Sequence, residues 1–172
     1  TLNLGNSNVG IAISGDSDAN LIGGTGAGEG NLIFNNGDSG LDVRDTGTDG
    51  NSILGNTFGG NTELGIDLGG DGVTANIAGD LDSGANDLQN FPVISSAGLN
   101  GTDLTLSGSL NTDGVSTQYR IEFFGNAAGT QDATHGEARV YLGTVNVTTD
   151  GSGNAAFTDI VISGVTLDVG DF

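Results

Sequence analysis

The sequence predicts an all-β chain in two unlike halves, a coil of short parallel rungs followed by longer half-buried strands. Three observations carry that reading. Related segments recur as VGIAI at 9–13, SGLDV at 39–43 and LGIDL at 64–68. The 33 glycines keep company with Asn, Asp and Ser at regular intervals, so a composition that would otherwise suggest disorder marks turns instead. No window carries apolar residues at i, i+3, i+4 and i+7 without a glycine interrupting it, which removes the helical reading.

The first half is built from a repeat. Gly10 and Gly40 are 30 residues apart and Gly40 and Gly65 are 25 apart, the insertion TGAGEG accounting for most of the difference. Between these glycines run NLIGG at 20–24 and NSILGN at 51–56, then GNLIFNN at 30–36 and GNTFGGN at 55–61. Each turn of the coil therefore carries three short apolar segments that stack by parallel pairing. By the period of two, Ile11, Ile13, Leu41, Val43, Ile66 and Leu68 point inward, while Ala12, Asp42 and Asp67 point out. Asn20 and Asn51 hold the same place in successive rungs, where stacked side-chain amides can bond the backbone of the bend.

The stretch GIDLGGDGVTANIAGDLDSGANDLQNFP at 65–92 is a junction: it opens inside the third rung and stops at the only proline in the chain. We divide the chain accordingly into rungs at 1–78, an acidic junction loop at 79–90 and a second unit at 91–172. In that unit DLTLSGSL alternates Leu104, Leu106 and Leu110, and QYRIEFF alternates Tyr119, Ile121 and Phe123 against Arg120 and Glu122. The apolar parity of RVYLGTVNV shifts across Gly143, which predicts a bulge or bend. DGSG at 150–153 is a turn before a strand around Phe157, Ile160 and Ile162. The pattern stops abruptly at LDVGDF, as though one strand were missing.

Composition excludes several functions. With 22 acidic residues against three basic ones, the net charge of −19 repels nucleic acid and anionic lipid and attracts cations. There is no cysteine for disulfides, thiol catalysis or thiolate metal sites. The basic residues are Arg44, Arg120 and Arg139, so Schiff-base chemistry is out. No apolar run of about 18 residues predicts insertion into a membrane.

The acids of the junction have two readings. Asp80, Asp82, Gly84, Asn86 and Asp87 form a D-x-D-x-G-x-N-D pattern whose alternate side chains could converge on one hard cation, Ca²⁺ by preference, joined by Asp71 and Asp67 if the loop folds back. It is not an EF-hand, whose glycine and terminal glutamate lie elsewhere. The other reading is a solvated acidic linker. Asp42 and Asp67 invite a third chemistry, since equivalent positions on adjacent rungs lie about 4.8 Å apart. Retaining glycoside hydrolysis asks for carboxyls about 5 to 5.5 Å apart in a cleft, and bare rungs offer a flat face. Turn-flanking surface acids or a cation are the other readings of this pair.

Smaller candidates are weaker. His135 has no Ser or Cys at a recognisable spacing. The GGTGAGEG run lacks the lysine and helix of a phosphate loop. Tyr119, Phe123 and Tyr141 could stack on a sugar but fit better as core residues.

The residues also carry a resemblance. GIAI with NLIGG, GNLIFNN, GLDV with NSILGN, and the junction through LQNFP resemble the last rungs of right-handed parallel β-helix repeats in large bacterial secreted and surface proteins. YRIEFFGN, GEARVYLGTVNVTTDGSGNAAF and VGDF resemble the β-sandwich module that follows them. The resemblance implies a right-handed parallel β-helix of about 2.5 to 3 rungs joined to an Ig-like antiparallel β-sandwich. It implies an extracellular or cell-surface location, and with it we read the chain as a structural, adhesive, non-enzymatic segment. The first rung, TLNLGNSNVGIAI without a polar cap, and the stop at VGDF predict open β edges that recruit further rungs or strands of a parent chain, or identical subunits stacked head to tail into a fibre. The competing class is a carbohydrate-binding or polysaccharide-cleaving module, for which surface glycans would be the partner.

Overall fold

The computed structural model describes residues 4–126 and 136–167. The architecture is all-β, with parallel sheets in the first part of the chain and antiparallel sheets in the second. Seven strands of three residues each come first: β1 (Ile11–Ile13), β2 (Leu21–Gly23), β3 (Leu32–Phe34), β4 (Leu41–Val43), β5 (Ser52–Leu54), β6 (Thr57–Gly59) and β7 (Ile66–Leu68). They pair in parallel as β1-β4-β7, β2-β5 and β3-β6. Ile11 lies opposite Leu41 and Leu41 opposite Ile66, so the register is the one the glycine spacing predicts. The alternating parity sends Ile13, Ile33, Leu41, Val43 and Phe58 into a small shared core.

Three-residue strands cannot hold a sheet by themselves, since each contributes only a couple of ladder bonds. The corners supply the rest. Asn20 donates its backbone N–H to Oδ1 of Asn51 at 3.0 Å, Asn31 to Oδ1 of Asn56 at 3.0 Å, Asn6 to Oδ1 of Asn36 at 3.0 Å, and Asn36 to Oδ1 of Asn61 at 3.1 Å. Asn36, Asn51, Asn56 and Asn61 are buried, and each satisfies a corner amide that the turn would otherwise orphan.

After β7 the chain passes a 3-10 turn at Ala85–Leu88 and enters β8 (Val93–Asn100), β9 (Asp103–Asn111), β10 (Gln118–Gly125), β11 (Val140–Thr148) and β12 (Asn154–Ile162). These form two antiparallel sheets, β12-β9-β8 and β10-β11. One core joins them: Leu104, Leu106 and Leu110 from β9, Ile121 and Phe123 from β10, Val147 from β11 and Phe157 from β12. Phe123 and Phe157 meet edge to face with centroids 5.6 Å apart. Pro92 stands just before β8 rather than inside it. The irregularity predicted near Gly143 occurs as a register shift, Phe123 opposite Gly143 and Phe124 opposite Tyr141, leaving Leu142 as the extra residue.

β8 is the strand the alternation did not single out. Its register places Ile94, Ala97 and Leu99 opposite Gly108, Leu106 and Leu104, on the core-facing side. Ile94 is nevertheless 52% exposed and Leu99 40%, because three strands face two among the described residues.

Candidate functional site: the acidic junction

The rungs have a chemical direction. At every corner the upper residue gives an N–H and the lower residue receives it on a carboxamide oxygen, so the lower face of the stack presents donors. That face is met by acceptors. Asn86 of the 3-10 turn accepts the N–H of Asn51 on Oδ1 at 2.8 Å and returns its Nδ2 to the Asn51 carbonyl at 3.1 Å. Asn86 is thus the third member of the Asn20–Asn51 ladder, held in the left-handed region at φ 53°. Glu137 accepts the N–H of Gly60 on Oε1 at 2.9 Å and that of Asn61 on Oε2 at 3.0 Å. Asn61 Nδ2 also donates to Glu137 Oε2 at 2.8 Å. Glu122 accepts the N–H of Gly55 at 2.8 Å. Carboxylates suit this place because they accept only, and charge-assisted bonds to buried N–H groups are strong. Phe58 N–H to the Ala138 carbonyl at 3.2 Å, and Arg139 over the Phe34 ring at 5.9 Å, complete the contact.

The junction loop is sewn to the end of β9 by a third carboxylate. Asp80, 7% exposed, accepts the Asn90 N–H at 2.8 Å on Oδ1, and Gln89 Nε2 at 3.0 Å and Thr112 Oγ1 at 3.1 Å on Oδ2. Thr112 Oγ1 also lies 3.0 Å from Tyr119 Oη, so the network runs from the loop into β10. Burial pushes the Asp80 carboxyl above the usual range, against the pull of the Asn90 N–H.

Three of the predicted cation ligands are engaged in hydrogen bonds of their own. Asn86 and Asp80 serve the two networks just described. Asp67 caps its own loop, accepting Gly70 N–H at 3.1 Å and Gly72 N–H at 2.9 Å. Asp71 lies in that same loop. Asp87 is raised above the usual carboxylate range by burial, then by the charges of Asp49 and Asp113, while Asp113 and Asp82 act on Asp80. One oxygen each of Asp49 and Asp82 is buried without a hydrogen-bond partner. Among the described residues no three acidic or histidine side chains are placed to share a metal ion.

Asp42 and Asp67 require a correction. They stand on the face away from the core, directly opposite each other in register, but they are not surface acids: Asp42 is 1% exposed and Asp67 5%. Arg44 covers Asp42, its Nε 3.0 Å from Oδ2 and its Nη2 in contact with the same oxygen, while its side chain reaches Gly70 of the next loop. Burial, ahead of the charge of Asp42, raises the Asp67 carboxyl above the usual range.

Tyr141 also departs from its expected place. It is 40% exposed, packs edge-on against Phe124 and receives Arg120 Nη2 at 3.2 Å, whereas Phe123 and Tyr119 do belong to or border the core. In the GGTGAGEG run Glu29 accepts the Gly26 N–H, an acid where a phosphate loop would bind an anion. His135 lies outside the described residues.

Sequence reasoning missed Glu122 and Glu137. Glu122 read as an outward residue of a half-buried strand, which it is; that its carboxylate meets Gly55 depends on a contact spanning 67 positions. Asn86 had a signal, the Asn20 and Asn51 ladder, but it follows Asn51 by 35 residues where the earlier step is 31. No protein-family model matches the chain, and no curated protein matches it in sequence.

Proposed function

We propose that the chain is a structural, adhesive segment of an extracellular or cell-surface protein, with the architecture of a short right-handed parallel β-helix of about 2.5 to 3 rungs joined to an Ig-like β-sandwich. The observation that carries this reading is the continuous hydrogen-bonded seam. Side-chain ladders descend the corners of the first half and two of them end on carboxylates of the second, so tension applied to one half is delivered to the other through bonds that are buried or partly buried. The burial of Asp42 beneath Arg44 and of Asp67 within its own loop supports the non-enzymatic side, since a sugar cannot reach carboxyls 1% and 5% exposed. In the same reading Ca²⁺ steadies the junction by neutralising the field about Asp80, which feels the charges of Asp113 and Asp82, and Asp87, which feels those of Asp49 and Asp113. Its partners are further rungs or strands of a longer chain, or identical subunits meeting at open β edges. A polysaccharide panel tests the role. The expected result is no specific binding and no release of reducing ends; binding abolished by Tyr141→Ala would replace this reading with a carbohydrate-recognition module.

A further inference from the structure

The direction of the corner bonds also fixes what the upper face of the rungs can receive, an inference that rests on the structural reading above. Within the molecule the upper face of the second rung, with Oδ1 of Asn36, Asn51 and Asn56, is covered by the N–H groups of Asn6, Asn20 and Asn31. The upper face of the first rung presents the same three acceptors one step higher. Among the described residues nothing donates to Oδ1 of Asn6, Asn20 or Asn31, whose Nδ2 groups do have partners. The strands tell the same story, since β1, β2 and β3 each pair on one side only among the described residues.

We propose that this acceptor face is the docking surface for a further rung of the same build, and not for a second copy of this chain. The occupant is defined by its chemistry: three short parallel strands whose corner N–H groups point down at the spacing of Asn36, Asn51 and Asn56, with apolar residues inward above Ile11, Ile22 and Ile33. A second copy cannot supply it. Its lower, donor face is closed by its own Asn86, Glu122 and Glu137, and its upper face would set carboxamide oxygens against carboxamide oxygens. Head-to-tail stacking of identical chains through the rungs is thereby removed, leaving heterotypic addition at one end.

The test is a graft. Residues 36–60 are placed directly before Asn6 in place of residues 1–5, which preserves the corner register because Asn6, Asn36 and Asn61 are equivalent. The melting temperature is expected to rise by about 5 °C or more, as an added nearest-neighbour interface should give. Backbone N–H groups at the three new corners should be protected from exchange. The gain should disappear when Asn20→Leu and Asn31→Leu are introduced beneath the graft. A grafted rung that exchanges freely and adds no stability overturns the proposal. Sedimentation of the ungrafted chain covers the case in which the graft fails to fold: a self-associated species dissolved by Asn20→Leu and Asn31→Leu would show that a second copy is the occupant. Neither readout involves sugars, so a positive polysaccharide result would overturn the functional reading while leaving this one standing.

Discussion

The two halves of the chain solve the same problem, holding β-strands together, by opposite chemistry. β8 to β12 are eight or nine residues long, and β9 to β12 bury leucine, isoleucine, valine and phenylalanine between two sheets. β1 to β7 are three residues long, and their stack depends on buried asparagines that repeat at the corners. Long strands bring enough ladder bonds that side chains can be spent on apolar packing. Where strands are this short most of the backbone lies in turns, and each turn leaves an amide that only a side chain can satisfy. An apolar substitution should therefore be harmless at many positions of the second half and severe at a corner of the first.

The largest effect expected on either side of this comparison is from Phe157→Ala. Phe157 is 3% exposed and packs on Phe123, so truncation should cost about 4 kcal/mol in equilibrium denaturation. Next comes Asn61→Leu, similar in volume and apolar. Asn61 accepts from Asn36 and donates to Ile33 and Glu137; the loss should be about 3 kcal/mol, because several buried groups are orphaned together. The matching change Thr105→Val, on the outer side of β9 opposite Val161 and Gly98, should move stability by less than about 0.5 kcal/mol. Equal tolerance of Asn61→Leu and Thr105→Val would break the comparison.

Calcium should act on the junction more than on either sheet. Extracellular modules bind it with dissociation constants of about 10⁻⁴ to 10⁻³ M, so a tenfold excess over that constant adds about 1.4 kcal/mol. Melting in calcium, in chelator and in sodium at matched ionic strength separates this from diffuse screening of the −19 charge. Coincident melts in calcium and chelator would remove the ion from the account.

The smallest effect is the sharpest, for it has opposite signs in the two halves. Asp67 and Asp80, both buried, are raised above their ordinary carboxylate range, mainly by that burial. Between the ordinary and the raised values the folded state holds more protons than the unfolded one. Their contribution to stability therefore falls as pH rises through that interval. Asp150 is lowered by the N–H groups of Asn154 and Ser152, so the stability it brings is present above the ordinary range and is lost as pH falls below it. Amide exchange at mildly acid pH, corrected for the intrinsic rate, should show the junction better protected than at neutrality. The turn at 150–154 should be less protected on the acid side. Parallel changes at both places would contradict the assignment.

Much of the fold was legible because periodicity is local. The glycine spacing gave the register of β1, β4 and β7, and the leucine alternation gave β9. β8 escaped because VISSAGLN has little alternation and lies largely exposed. Asp42 and Asp67 were placed on the correct face but wrongly in water, since the residues covering them, Arg44 and the Gly69–Gly72 loop, belong to tertiary packing that no pattern encodes. Within the acidic run Asp80 and Asn86 each serve a hydrogen-bond network and Asp67 its own turn, roles set by tertiary packing, and the acids that close the rungs, Glu122 and Glu137, come from far along the chain.

One experiment tests that closure directly. Glu137→Ala leaves the N–H groups of Gly60 and Asn61 and the Asn61 side chain without their shared acceptor, while touching no residue of the main core of the second half. Hydrogen exchange followed residue by residue across a denaturant series should show fast exchange at Gly60 and Asn61. The single unfolding transition should split, the rungs opening first and β8 to β12 later. Unchanged protection at Gly60 and Asn61 with one transition retained would mean that the carboxylate seam does not join the halves, and the account would fail at its centre.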